Sequence, residues 1–348
     1  MAADTGAAGG VVGIGLLGCG VVGSAVARAL VGGAGRIAGE LGRRPVIRGV
    51  AVRDLDKPRD VPVPPHLFTD DALGLAGRDD VDVVVELIGG ANPAGAILEL
   101  ALRRGKHVVT ANKELMARRW DCLHDVARSE ERRLLAEGAV MAGVPVLGPL
   151  RTLAGGDRVE RLEGVLNGTT NYCLHRMERD GLTLEAALAD ARRLGYTELD
   201  PSADVDGRDA ASKLAILATV AFGVPTALHD VEFAGIRGIT AAELAAARED
   251  GDAIRLVAEA WRVEGSLFAH VAPRRLPSGH PLARVPDHHN ALLVRARLAG
   301  ELLFQGPGAG GEATASAVLA DIVRAAAPST PVAASSIPRS PERSVTHG

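Results

Sequence analysis

The sequence predicts an α/β protein in two parts: a doubly wound, mostly parallel sheet in the first half, then a separate α+β substrate and dimerisation domain. Three observations carry this expectation. Apolar runs alternate with helical stretches from Val11 to about residue 150. The runs are continuously apolar, as strands covered by helices on both faces tend to be. Past that point the pattern changes to extended runs separated by isolated helices. A length of 348 residues suits two domains. A composition 47% hydrophobic but only 3% aromatic favours Ala/Val/Leu-rich helix-on-sheet packing over an aromatic-filled sandwich.

Taken in order, residues 1–10 read as a flexible arm, small and polar. "VVGIGLLGCGVVGSAVARAL" (11–30) is an apolar run, a glycine turn and then helical spacing through Val22, Val26, Ala29 and Leu30. Further strands are expected at 46–52, 81–88 and 106–111, with helices near 93–104 and 113–133. These make a nucleotide domain over 11–150. For a catalytic domain over 151–305, residues 158–177 suggest a strand leading into a loop, with helices at 183–194 and 208–222 and extended runs at 266–272 and 291–298. Residues 306–326 open on a glycine turn and become a helix returning to the first domain. The Pro- and Ser-rich remainder, 327–348, reads as a disordered tail.

The net charge of −4 gives no basic field for nucleic acid or an anionic membrane. Cys19, Cys122 and Cys173 lack metal or disulfide spacing, the N-terminus lacks a basic leader, and the first apolar stretch is short and broken by glycine. A soluble, cytoplasmic protein is the expectation.

Gly18-Cys19-Gly20-Val21-Val22-Gly23 fits G-x-G-x-x-G between a strand and a helix. In that setting the glycines make a tight turn, let backbone approach a pyrophosphate and pack helix against strand, the features of a Rossmann-type dinucleotide site. The alternative is a glycine-rich turn that serves packing alone. At the end of the second strand, where an acid would hold an NAD ribose, the chain reads Arg53-Asp54-Leu55-Asp56-Lys57. Arg53 with Lys57 suits a 2′-phosphate and favours NADP, while Asp54 on a ribose would favour NAD.

Ligands of open sheets bind beyond the carboxyl ends of the strands. Lys113, in "VVTANKE" (108–114), is placed at such an end near the nicotinamide, or else caps a turn. "ELDPSADVDGRDAASKLAIL" (198–217) imitates a calcium loop from Ser202, but the twelfth position, where a bidentate glutamate belongs, is Lys213. That excludes calcium. The stretch reads instead as a polar loop entering a helix, with Asp206 as its N-cap. On the helix, Asp209 and Lys213 are one turn apart, and the lysine's other neighbours are apolar. An exposed ion pair is the simple reading, but a partly buried lysine beside carboxylates can deliver a proton.

Several segments together resemble the homoserine dehydrogenase family. They are "GLLGCGVVGSAV", "VAVRDLDKPR", "VVELIGGANPA", "GKHVVTANKELMA", "EGAVMAGVPV", "LEGVLNGTTNYCL", "LGYTELDPSADVDGRDAASKLAIL" and "GPGAGGEATASAVLADIV", in family order over roughly residues 11–326. The resemblance implies reversible reduction of L-aspartate 4-semialdehyde to L-homoserine with NADPH or NADH, on the route to threonine, isoleucine and methionine. It implies that Lys213 is the proton donor, supported by Asp209, with Lys113 between cofactor and substrate. Glu198 resembles the carboxylate that binds the substrate ammonium, and Tyr196, Gly168, Thr169 and Asp204 complete the substrate pocket. Gly18, Gly20, Val22, Gly23, Arg53, Lys57, Lys113 and Gly308 fall on the cofactor side. "EGAVMAGVPV" is similar to a sodium-binding turn, with carbonyls of Glu137, Val140, Ala142 and Val144 as ligands. The family more often has glycine where Ala142 stands, and "PDHHNA" (286–291) departs from its pattern.

A homodimer through the middle sheet is implied by the family. A short form is expected, with no ACT domain or aspartate kinase and no threonine feedback through such a domain. Two other readings remain open. One is a different NAD(P) oxidoreductase acting on a small amino or hydroxy acid. The other is a nucleotide-sensing protein without turnover, which would be marked by loss of Lys113, Glu198, Asp209 or Lys213; all four are present.

Overall fold

A computed structural model of the chain describes residues 10–197 and 199–328. Glu198, most of the N-terminal arm and the tail from residue 329 lie outside the described residues.

The first unit comprises the chain up to Pro145 together with Gly306–Pro328. It opens with β1 (Val11–Leu17), α1 (Val21–Gly32), α2 (Ala34–Leu41) and β2 (Arg44–Ala51). It continues through β3 (Phe68–Thr69), α3 (Ala72–Gly77), β4 (Val83–Glu86), α4 (Ala94–Arg103), β5 (His107–Thr110), α5 (Lys113–Ser129) and β6 (Leu134–Leu135). Its sheet has the order β3-β2-β1-β4-β5-β6 with neighbouring strands parallel, the doubly wound Rossmann order. Six of the seven β1 residues and all four of β4 are buried, so these strands show no polar alternation. The order reverses between β1 and β4, and the crevice at their carboxyl ends is where such sheets hold ligands.

The second unit, Val146–Gln305, contains α6 (Leu147–Gly156), β7 (Val159–Val165), α7 (Gly168–Asp180), α8 (Leu184–Arg193), α9 (Ser202–Val205) and α10 (Arg208–Phe222). Then come β8 (Glu232–Phe233), α11 (Ala241–Glu249), β9 (Asp252–Val263), β10 (Ser266–Pro277), β11 (His289–Ala296) and β12 (Gly300–Pro307). Its mixed sheet runs β12-β11-β7-β9-β10-β8, antiparallel from β11 through β10, with β8 parallel to β10. Every residue of α10 from Asp209 to Phe222 is buried. A helix covered on all sides has no polar face, so any charge it carries needs a partner inside the protein. The chain then re-enters the first unit as α12 (Gly311–Ala326), whose Ala315, Val318 and Ile322 join the core formed by Val26 and Leu30 of α1. Arg43 and Arg133 donate to the carbonyls at its C-terminus.

Two expectations are corrected. The segment after β7 is the helix α7 rather than a loop, because Asn167 caps it by accepting from Thr170 N–H at 2.8 Å. The N-cap of α10 is Gly207, at φ 84°, and not Asp206. Asp206 instead pairs with Arg237 on the surface. Among the described residues no single helix is long and apolar enough to cross a membrane.

Candidate functional site

In the first unit the glycine turn joins β1 to α1 at the sheet's switch point. Gly18 has φ 100°, and a Cβ there would lie 2.7 Å from the Leu87 carbonyl oxygen just past β4. At Gly23 a Cβ would lie 2.2 Å from the Gly18 carbonyl oxygen. Packing therefore demands both glycines. Gly20 differs: a Cβ on it would meet nothing within 4 Å, so folding alone does not require glycine there. The backbone at Gly20, the N-cap of α1, faces open space where an anion can approach helix N–H groups. Half-buried Val22 packs on the core behind the turn. Gly311, at the start of α12, lies so close to the turn that a Cβ there would touch Val21 at 2.6 Å. Gly308 is buried in the connection from β12 to α12.

Beyond β2, the Asp54 carboxylate accepts from Asp56 N–H at 3.0 Å and Lys57 N–H at 3.1 Å, and Arg59 donates to the Asp54 and Lys57 carbonyls at 2.7 Å each. This closed turn occupies one carboxylate oxygen of Asp54 and leaves Arg53 and Lys57 exposed. Among the described residues neither cation has an ion-pair partner, which suits binding of a phosphate dianion.

Lys113 is the first residue of α5 and is exposed. An ammonium at a helix N-terminus opposes the helix dipole by a few tenths to about 1 kcal/mol, a placement stability does not favour. The position is held by a network that sequence reading missed. Buried Glu86, at the end of β4, accepts from Ile88 and Gly89 N–H at 2.9 and 3.0 Å and from the Thr110 hydroxyl at 2.5 Å. Thr110 Oγ1 in turn accepts from Asn112 N–H at 3.0 Å. Asn112 caps α5 through Leu115 N–H at 3.0 Å and donates to the Gly90 carbonyl at 2.7 Å. Thus "ELIGG" and "TANK" are braced against each other, and Lys113 follows directly.

The turn 137–144 is buried except at Gly138 and Gly143, which are half-buried. Ala142 stands at φ 49°, left-handed backbone that glycine adopts more readily. Among the described residues the carbonyls of Val140, Ala142 and Val144 accept no hydrogen bond although all three residues are buried, so unpaired hard oxygens are available there. Glu137 N–H donates to Asp321 Oδ2 at 2.7 Å, and its carboxylate lies 3.6 Å from Arg324.

In the second unit, Lys213 Nζ lies 2.8 Å from Asp209 Oδ2 and donates to the Leu166 carbonyl at 2.8 Å. The side chains of Lys213 and Asp209 are only 10% and 3% exposed, so the solvated-pair reading does not hold. An ammonium carries three N–H donors; two are directed at these acceptors, and the third can serve a bound oxygen. Asn167 Nδ2 donates to Asp204 Oδ1 at 2.7 Å and to Asp209 Oδ2 at 2.8 Å, while Thr197 donates to Asp204 Oδ2 at 3.2 Å. Asn290 Nδ2 also donates to the Leu166 carbonyl, at 3.0 Å.

Tyr196 is half-exposed, edge-on to Tyr172 at 5.2 Å between centroids and stacked on His288 at 5.5 Å; its carbonyl accepts from Thr169. A Cβ on Gly168 would lie 2.8 Å from the His288 carbonyl oxygen. Lys213, Asp209, Asp204, Thr169, Tyr196 and Gly168 are thus linked directly or through Asn167 and the segment that follows β7. Asn167 and Asn290 were missed because an isolated asparagine carries little signal. The "NGTT" after an expected strand was the one cue to a capped helix. Among the described residues no cluster of three or more His, Cys, Asp or Glu could hold a metal.

A family model described as homoserine dehydrogenase matches residues 145–323, and one described as the NAD binding domain of homoserine dehydrogenase matches residues 18–137. The homoserine dehydrogenase of Corynebacterium glutamicum is 45% identical over 323 residues, covering 91% of this chain and 72% of that protein. A solved homoserine dehydrogenase from Thiobacillus denitrificans is similar with a TM-score of 0.86 and 37% identity, covering 91% of this chain and 74% of that one. A hyperthermophilic archaeal homoserine dehydrogenase solved in complex with NADPH is similar with a TM-score of 0.75 and 30% identity, covering 90% and 97%.

Proposed function

The chain belongs to the homoserine dehydrogenase family, and we propose that it reduces L-aspartate 4-semialdehyde to L-homoserine, reversibly, in the synthesis of threonine, isoleucine and methionine. The observation that carries this reading is the buried Asp209–Lys213 pair, with one ammonium N–H left for a substrate oxygen. The reduced nicotinamide, when bound, supplies hydride to the C4 carbonyl carbon. Lys213 gives a proton to the carbonyl oxygen as its π pair becomes a lone pair, so no free alkoxide accumulates. Asp209 keeps the lysine charged and aimed. Glu198 binds the substrate's ammonium, Asp204, Tyr196, Thr169 and Gly168 complete its pocket, and Lys113 supports the substrate from the nucleotide side.

We read the cofactor as NADP. The glycine turn receives the pyrophosphate, with Gly308 in the returning segment, and Arg53 and Lys57 take the 2′-phosphate; the closed turn at Asp54 argues against an NAD ribose there. The unpaired carbonyls of Val140, Ala142 and Val144 support a sodium ion in that turn, with the Glu137 carbonyl as a fourth ligand. A second copy is expected to cover the sheet face where Trp261 stacks on Phe268, itself 46% exposed. The cytoplasm is the expected compartment, consistent with three free cysteines.

Steady-state kinetics with aspartate semialdehyde and homoserine, each with both cofactors, tests the assignment. Turnover with these substrates and none with malate semialdehyde or simple aldehydes is expected; the reverse preference would assign a different oxidoreductase. Arg53→Ala is expected to raise KM for NADPH and leave NADH little changed.

A further inference from the structure

Asn167 does more than cap a helix. Its Oδ1 accepts Thr170 N–H at 2.8 Å, a task that serine, threonine or aspartate perform as well. That bond fixes the orientation of the amide, so both protons of Nδ2 face away from α7. One goes to Asp204 Oδ1 at 2.7 Å and the other to Asp209 Oδ2 at 2.8 Å, in a side chain that is almost fully buried. Asp209 Oδ2 is also the oxygen that holds Lys213 Nζ. A neutral amide is the side chain able to bridge two carboxylates at this distance without adding charge to either.

We infer that Asn167 is a positioning residue, which ties the substrate-side carboxylate of Asp204 to the Asp209–Lys213 pair so that substrate and proton donor are held in register. The inference rests on the homoserine dehydrogenase reading. Asp204 reaches Asn167 from α9 and Asp209 reaches it from α10, where Lys213 pairs with Asp209 one turn on. Cys173, one and a half turns along α7, feels the same surroundings: burial first, then the charge of Asp204, push its thiol up to about 12. That leaves it a neutral neighbour at working pH.

Two variants separate positioning from capping. Asn167→Ser keeps a capping oxygen and removes both donors; Asn167→Asp keeps shape and cap but sets a third carboxylate against the other two. Both would be measured for thermal melting and for steady-state reduction of aspartate semialdehyde by NADPH, with semialdehyde and NADPH each varied. Asn167→Ser is expected to fold with its melting temperature lowered by only a few degrees, with kcat/KM for the semialdehyde down about tenfold or more and KM for NADPH unchanged. Asn167→Asp should lose more, because it sets a repelling carboxylate where the amide donated to both Asp204 and Asp209. Should Asn167→Asp fail to fold, Asn167→Ser carries the test. Variants within about twofold of wild type in kcat/KM for the semialdehyde would overturn the inference. A wild-type protein that does not turn over aspartate semialdehyde would instead overturn the reading beneath it, and the inference with it.

Discussion

Asp209 and Lys213 stand one turn apart on α10 and meet at 2.8 Å, with 3% and 10% of their side chains exposed. On a surface such a pair stabilises a helix by about 0.3–0.5 kcal/mol. Buried, it must overcome desolvation of both charges, and apolar residues in its place are often as stable or more so. The pair is therefore poorly explained by stability and well explained by a need for a charged lysine in a dry place.

The two partners should respond unequally to removal. Without Lys213, Asp209 keeps the Asn167 donor; without Asp209, Lys213 keeps, among the described residues, only a neutral carbonyl. Asp209→Ala should cost about 3–5 kcal/mol in urea unfolding, and Lys213→Ala clearly less. Equal losses would mean that Asn167 does not compensate the acid.

The glycine turn separates folding from cofactor binding. Gly23→Ala forces a Cβ to 2.2 Å from the Gly18 carbonyl and should lower the melting temperature. Gly20→Ala meets nothing within 4 Å and should melt like wild type while KM for the cofactor rises at least several-fold. Melting curves alongside cofactor titrations check both.

His107, at the start of β5, gives an acid-side expectation. Burial first, then the nearby guanidinium groups of Arg132, Arg133 and Arg43, lower it from 6.5 to about 4. Its Nδ1 accepts from Arg133 N–H at 3.0 Å, which requires the neutral ring. Folding thus favours the unprotonated form. The contribution is full above pH 6.5 and is lost as pH falls from there towards about 4. Melting temperature against pH should fall more steeply across that window for wild type than for His107→Asn.

The doubly wound half was legible because its strands are continuously apolar and its glycine turn sits where strand meets helix. The second sheet was only half legible. β9 was missed because Arg255 and Glu259 interrupt its apolar pattern; both charges are absorbed at a distance, Arg255 by Glu178 at 2.7 Å and Glu259 by Arg161 and Arg274 at 2.8 and 2.6 Å. No local pattern reveals partners that far away in sequence. Within the site, Lys213 and Asp209 were visible through helical spacing, but their burial was not. The asparagines of the second unit and Glu86 of the first became apparent only as hydrogen-bond partners within their own units.

The most direct test compares kcat for aspartate semialdehyde reduction by NADPH in wild type and Lys213→Ala. A loss of about 10²–10⁴-fold is expected, with cofactor affinity nearly intact. Near-normal turnover in Lys213→Ala would contradict it and move the proton donor to Lys113 or to water.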